Sequence, residues 1–247
     1  MNLNYPVIVL ANRGARKFYP ENTLISFKKS LEIGVDGIKT EVYKTKDNYF
    51  IVGFNDFYFT PEKFNKETLI FSDLKKVKLP LNQRILSLDE LVKELPMETL
   101  LMLEVNDEEC VEKLVEFLCK SKASGRTMIS SSNDKIIKKI HELKKEIYTG
   151  YIINSKESIE NTKNIDFISE LYSVIVSAQG IKYYGVENFK YNISYYKELD
   201  LKIFMSNIEE IKLLDDIYGY YDAIITDNIA EVIHYLEEKF WGGNNVS

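Results

Sequence analysis

An α/β fold, specifically a (β/α)8 TIM barrel, is predicted by three observations. Strand-like and helix-like runs alternate along the whole chain, with no linker rich in Pro, Gly or Ser. Eight of the strand-like runs are separated by helical stretches, as a closed parallel barrel requires. The length of 247 residues matches the roughly 250 typical of such a barrel. With 45% hydrophobic residues the chain can bury a full core. One domain is expected over residues 1–241, followed by a disordered tail at 242–247, where Gly-Gly-Asn-Asn-Val-Ser has nothing to pack.

The first strand is the apolar run Val7-Ile8-Val9-Leu10, which stops at Ala11-Asn12-Arg13-Gly14. Polar groups at the C-terminal end of a barrel strand stand where these folds bind ligands, so Asn12 and Arg13 are pocket candidates. A helix opens near Pro20-Glu21-Asn22-Thr23. Asn22 or Thr23 can cap it, Leu24, Phe27 and Leu31 follow its 3.6-residue period, and Gly34 ends it. Glu21 reads either as a charge favoured by the helix start or as a pocket residue.

Residues 36–42 form the second barrel strand, with Lys39 and Glu41 two apart and therefore on one face. After the turn Lys46-Asp47-Asn48, residues 49–54 return as a hairpin and bring Asn55 back toward Glu41. Residues 57–81 read as an irregular loop at the barrel mouth. Amphipathic helices over 87–95 and 107–120 flank a strand over 100–105, whose one charge, Glu104, lies near its C-terminal end. The remaining strands fall at 127–131, 148–153, 174–178, 202–205 and 223–226. Asp56 and Asp227 read as turn or cap residues.

The formal charge of −6 and pI near 5.2 argue against a nucleic-acid partner, because phosphate-backbone binding draws on clustered Lys and Arg. Lys138-Lys139 and Lys144-Lys145 read as a solvated helix face. No apolar run reaches the roughly 18 to 20 residues of a membrane span, and no leader pattern opens the chain, so a soluble, cytoplasmic protein without an integral membrane segment is expected. Cys110 and Cys119, nine positions apart on one helix, would lie roughly 13 Å apart, too far for a disulfide, and are expected as buried thiols. His141 and His234 fall in helical runs away from any strand end, and Trp241 is expected to pack the end of the last helix. The clusters Phe57-Tyr58-Phe59, Tyr183-Tyr184 and Tyr195-Tyr196 are taken as a compositional habit rather than a ligand platform.

Residues 7–23 resemble the opening of the glycerophosphodiester phosphodiesterase family, whose first strand ends in His-Arg-Gly and whose next helix starts with Pro-Glu-Asn-Thr. Here the second motif stands intact at Pro20, Glu21, Asn22 and Thr23, and the first reads Asn12-Arg13-Gly14. Residues 34–42 with Thr45-Lys46-Asp47 are similar to the family's Gly-Ala-Asp-Gly-Ile-Glu-x-Asp-Val and its Thr-Lys-Asp turn. Phe54-Asn55-Asp56 stands where the family has Phe-His-Asp, and Glu104-Val105-Asn106 where it has Glu-Ile-Lys. Weaker echoes at Ile129-Ser130-Ser131, Ser206-Asn207 and residues 222–227 extend the resemblance over about residues 7–235.

The resemblance implies a metal-dependent hydrolase of glycerophosphodiesters, with two histidines as general acid and base, three carboxylates around a divalent cation, and an arginine and a lysine on the phosphate. Carried over residue by residue, the histidines map to Asn12 and Asn55. The metal carboxylates map to Lys39, Glu41 and Glu104, and the phosphate-binding residues to Arg13 and Asn106. An asparagine amide does not titrate near neutral pH, so it can neither take nor give the proton. A lysine among hard-cation ligands deletes an oxygen and adds a positive charge, so the Lys39 ammonium is expected near the place of the ion, paired with Glu41 and Glu104.

The chain is therefore expected to be impaired or inactive in phosphodiester hydrolysis, to need no cofactor, and to keep a pocket for a small phosphorylated ligand. The alternative is an active enzyme of glycerophospholipid metabolism in which Glu41, Glu104 and other carboxylates recruit Mg²⁺ or Ca²⁺ and a metal-bound hydroxide replaces the histidine base. A third possibility is a structural or partner-binding subunit.

Overall fold

A computed structural model describes residues 5–53, 69–153, 162, 165–208 and 210–242. Nine strands are present among them: β1 (Ile8–Asn12), β2 (Gly37–Lys44), β3 (Phe50–Val52), β4 (Leu100–Glu104), β5 (Thr127–Ser131), β6 (Tyr148–Ile153), β7 (Ser173–Ser177), β8 (Lys202–Ser206) and β9 (Ala223–Thr226). All but β3 are parallel to their neighbours, in the order β1, β2, β4, β5, β6, β7, β8, β9, and β9 pairs with β1 to close the barrel. The helices among the described residues include α1 (Leu24–Ile33), α2 (Phe71–Leu74), α3 (Leu88–Glu94), α4 (Val111–Lys120), α5 (Asp134–Leu143), α6 (Gly180–Tyr184), α7 (Val186–Glu198), α8 (Leu213–Asp216) and α9 (Ile229–Phe240). None is long and apolar enough to cross a membrane.

Because successive strand residues point to opposite faces, each strand feeds two cores. Leu10, Met102, Met128, Ile175, Phe204 and Ile225 fill the barrel interior. Val9, Leu103, Ile129, Val174, Ile203 and Ile224 point outward, where Phe27, Leu114, Ile136 and Val232 of the helices cover them. Burial on both faces is why these strands read as continuous apolar runs. The register also aligns the mouth: Asn12 sits beside Lys39, and Glu41 beside Glu104.

The Pro-Glu-Asn-Thr stretch is a joint as well as a cap. Thr23 caps α1 by accepting from the Ser26 amide, and Gly34, at φ +113°, closes it. Asn22 is buried with φ +57°; its amide donates to the Arg13 carbonyl at 3.1 Å, and its Oδ1 accepts from the Thr40 hydroxyl at 2.8 Å. Gly53, at φ +58°, lies so close that a Cβ there would stand 2.1 Å from the Asn22 side chain. Gly53→Ala is expected to lose at least about 2 kcal/mol, from a left-handed backbone and an overpacked joint together, and thermal unfolding would show it as a lowered Tm.

Several expectations are corrected. Residues 69–81 are not an irregular loop: Leu69, Phe71, Leu74 and Leu79 bury with Ile51 and Ile85 in a small core of their own, and the Phe71 amide donates to the Asp47 carboxylate at 3.0 Å. Residues 57–68 of that stretch lie outside the described residues, as do 243–247 of the expected tail. The helix expected over 107–120 begins as a 3₁₀ turn, Glu108–Cys110, and becomes α-helical at Val111. Cys110 is buried but Cys119 is exposed, since nine steps of about 100° put it half a turn round the helix. Trp241 is 60% exposed, and Phe240 packs that end instead, its ring 6.2 Å from Tyr218.

Candidate functional site

The barrel mouth is built on a chain of alternating charges. The Lys39 ammonium lies 3.0 Å from Glu41 Oε1 and 2.7 Å from Glu104 Oε2. Strand periodicity puts Lys39 and Glu41 on one face, and the β2–β4 register puts Glu104 beside Glu41, so the bridge is dictated by pairing. Arg13 stands just past β1 with φ +59°, a left-handed conformation held by its amide on the Lys39 carbonyl at 2.7 Å. Its Nε and Nη2 donate to Glu41 Oε1 at 3.1 and 2.8 Å, and its Nη1 to Glu21 at 3.0 Å. Arg16 continues the chain, 3.1 Å from Glu21 and 3.7 Å from Asp227. Asp227 in turn accepts from Asn12 Nδ2 at 3.0 Å.

These contacts set the protonation of the floor. Burial alone would push the Glu41 carboxyl up, but Lys39 and Arg13 outweigh it and hold its pKa below the ordinary value. Burial likewise opposes the charge on Arg13, and the hydrogen bonds and charges of Glu41 and Glu21 more than offset it, so its pKa is raised. Both groups are ionised across the neutral range.

Asn12, Lys39 and Glu104 face a cavity of about 490 Å³. Its deep side is apolar, with Met102, Ile152, Ile175 and Ile225, and its rim carries Lys17, Ser206, Asn207, Asp227 and Asn228. Two expected phosphate contacts stand elsewhere. Arg13 is drawn onto Glu41 and Glu21 and does not line this cavity, and Asn106, exposed, donates to Glu104 Oε1 at 3.3 Å. Asn55 lies outside the described residues; the hairpin leading to it returns to Glu41, whose carbonyl accepts from the Gly53 amide at 2.8 Å.

Glu21 neither caps α1, which starts at Leu24 behind Thr23, nor lines the cavity; its carboxylate holds Arg13 and Arg16. Asp227, read as a turn residue, belongs to the site. The signal for it was available, because β9 neighbours β1 in a closed barrel and Asp227 follows β9 as Arg13 follows β1. Arg16 and Lys17 sit in a loop without periodicity, and no pattern marked them.

Residues 13–58, which carry Arg13, the Pro-Glu-Asn-Thr joint and Glu41, match the model of the glycerophosphoryl diester phosphodiesterase family. The chain belongs to the glycerophosphodiester phosphodiesterase family. It is 31% identical over 166 residues to an uncharacterised protein of Mycoplasma genitalium, covering 61% of this chain and 70% of that protein. The family barrel of Thermotoga maritima superposes with a TM-score of 0.76 at 22% identity, over 93% of this chain and 98% of that one. A phosphodiesterase from Oleispira antarctica, solved with its product sn-glycerol-3-phosphate, gives 0.75 at 18% identity, over 93% and 96%.

Among the described residues no group of three or more His, Cys, Asp or Glu is placed to hold a metal ion. Glu41 and Glu104 are two oxygen donors whose shared space is bridged by an ammonium. A hard cation needs more oxygens than this pair offers and no neighbouring positive charge, so this part of the mouth does not fit it.

Proposed function

We propose that this chain is a glycerophosphodiester phosphodiesterase-family barrel impaired in phosphodiester hydrolysis, which uses its mouth to bind a small phosphorylated ligand in the cytoplasm. The observation that carries the reading is the Lys39 ammonium bridging Glu41 and Glu104, at the place where the family resemblance implies three carboxylates around a cation. Asn12 adds to it: its amide is bonded to Asp227 and has no proton to exchange near neutral pH. Asn55 supports the reading through its side-chain chemistry alone. Binding is supported by the 490 Å³ cavity, and the product complex of the Oleispira antarctica relative suggests glycerol phosphate as the first ligand to try.

The test is an assay of glycerophosphodiester hydrolysis with Mg²⁺, Ca²⁺ or Mn²⁺, run beside the variant Asn12→His, Asn55→His, Lys39→Glu. The unaltered chain is expected to be slow and the variant faster. Equal turnover by both would contradict the proposal.

A further inference from the structure

We propose that the anion contact of this cavity has moved from Arg13 to Lys17 and Lys39, and that the pocket takes an acceptor-rich anionic small molecule, a phosphate monoester or a carboxylate. This rests on reading the mouth as a small-ligand site and assigns the residues that would recognise the ligand.

The inference follows from which hydrogen-bonding groups are already engaged. Arg13 and Arg16 are held by Glu21, Glu41 and Asp227. Each carboxylate facing the cavity already receives a donor from the chain: Glu104 from Lys39 and Asn106, Asp227 from Asn12. The amide oxygens of Asn12 and Asn228 have no hydrogen-bond partner among the described residues but are shielded from solvent. The two lysines that face the cavity keep donors for a ligand. Lys17 lines the rim, is exposed, and has no ion-pair partner among the described residues. Lys39 has two carboxylate partners for its three N–H groups, and Asn12 Nδ2 one acceptor for its two. A cavity that two lysines face, and whose carboxylates are already bridged by donors of the chain, favours an anionic ligand rich in acceptors.

Charge bounds the class further. Among the described residues, Glu21, Glu41, Glu104 and Asp227 are matched by Arg13, Arg16, Lys39 and Lys17, so these groups carry no net charge together. A singly charged carboxylate therefore suits them as well as a phosphate does, and recognition falls to Lys17, which has no ion-pair partner among the described residues.

Calorimetric titration with sn-glycerol 3-phosphate, glycerate, inorganic phosphate and glycerol tests this on the full chain, on Lys17→Gln and on a control, Lys138→Gln, on the exposed face of α5. Because Lys17 is exposed and makes no side-chain hydrogen bond or ion pair among the described residues, Lys17→Gln should keep the unaltered Tm. Binding of glycerol phosphate or glycerate should weaken by about tenfold or more in Lys17→Gln, as expected for loss of a charged hydrogen bond, with Lys138→Gln unchanged and glycerol bound far more weakly than either anion. The two anion arms separate a phosphate ligand from a carboxylate one. Unchanged affinity in Lys17→Gln, glycerol bound as tightly as the anions, or no anion bound at all would each overturn the inference. Turnover of a phosphodiester by the same preparation would contradict the proposed function and leave the Lys17 comparison standing.

Discussion

The variant Asn12→His, Asn55→His, Lys39→Glu is expected to hydrolyse a glycerophosphodiester at least about 10²-fold faster than the unaltered chain in the presence of Mg²⁺, Ca²⁺ or Mn²⁺, measured as glycerol phosphate released. General acid or base catalysis is worth about 10²- to 10⁴-fold per group, and groups that act together do not add, so the figure is a lower bound for the pair. Asp227 already stands 3.0 Å from the Asn12 amide, and a histidine at 12 could donate a ring N–H to the same carboxylate, which fixes its tautomer and leaves the other nitrogen to exchange a proton. Lys39→Glu alone is expected to give no comparable gain, because a third carboxylate without a titrating partner lacks the proton step.

Glu41→Ala is expected to destabilise the fold by about 3 kcal/mol, the lower end of the cost of breaking a buried ion pair. Glu41 Oε1 receives both Arg13 and Lys39, and its side chain is only 10% exposed. The lower end applies because Arg13 keeps Glu21 and Lys39 keeps Glu104. The pH dependence carries a sign. The folded pKa of Glu41 lies below its ordinary value of 4.5, so its contribution is fully present above that value and is lost as pH falls through the lower folded one. Glu41→Gln should therefore show a shallower loss of stability in acid than the unaltered chain. Denaturant unfolding between neutral pH and about pH 3 reads both effects, and equal stability of Glu41→Ala and the unaltered chain at neutral pH would contradict this role.

Much of the site was legible because strand geometry is simple. The period of two places Lys39 with Glu41, strand ends put Asn12 and Glu104 at the rim, and the family resemblance set Glu104 with Lys39 and Glu41. The role of Arg13 was harder. Sequence shows a cation near a phosphate position, but whether it meets a ligand depends on how many carboxylates compete for it, and Glu21 and Glu41 both do. Asp227 required the closure of β9 onto β1 to be used as a constraint. Arg16 and Lys17 lie on a loop whose path follows from tertiary contacts. The small core around Ile51 was missed because its apolar residues are scattered among lysines and asparagines in a stretch without sustained period. The Asn22–Gly53 contact joins residues 31 apart, and neither residue type signals it locally.

Calorimetric titration of the unaltered chain and of Lys39→Glu with Mg²⁺ and Ca²⁺ is the most direct measurement of whether an ammonium has taken the cation's place. The account predicts no binding in the micromolar range for the unaltered chain, and binding in Lys39→Glu, where a third carboxylate replaces the charge that now bridges Glu41 and Glu104. Micromolar binding of either ion by the unaltered chain, abolished by Glu41→Gln or Glu104→Gln, would contradict it.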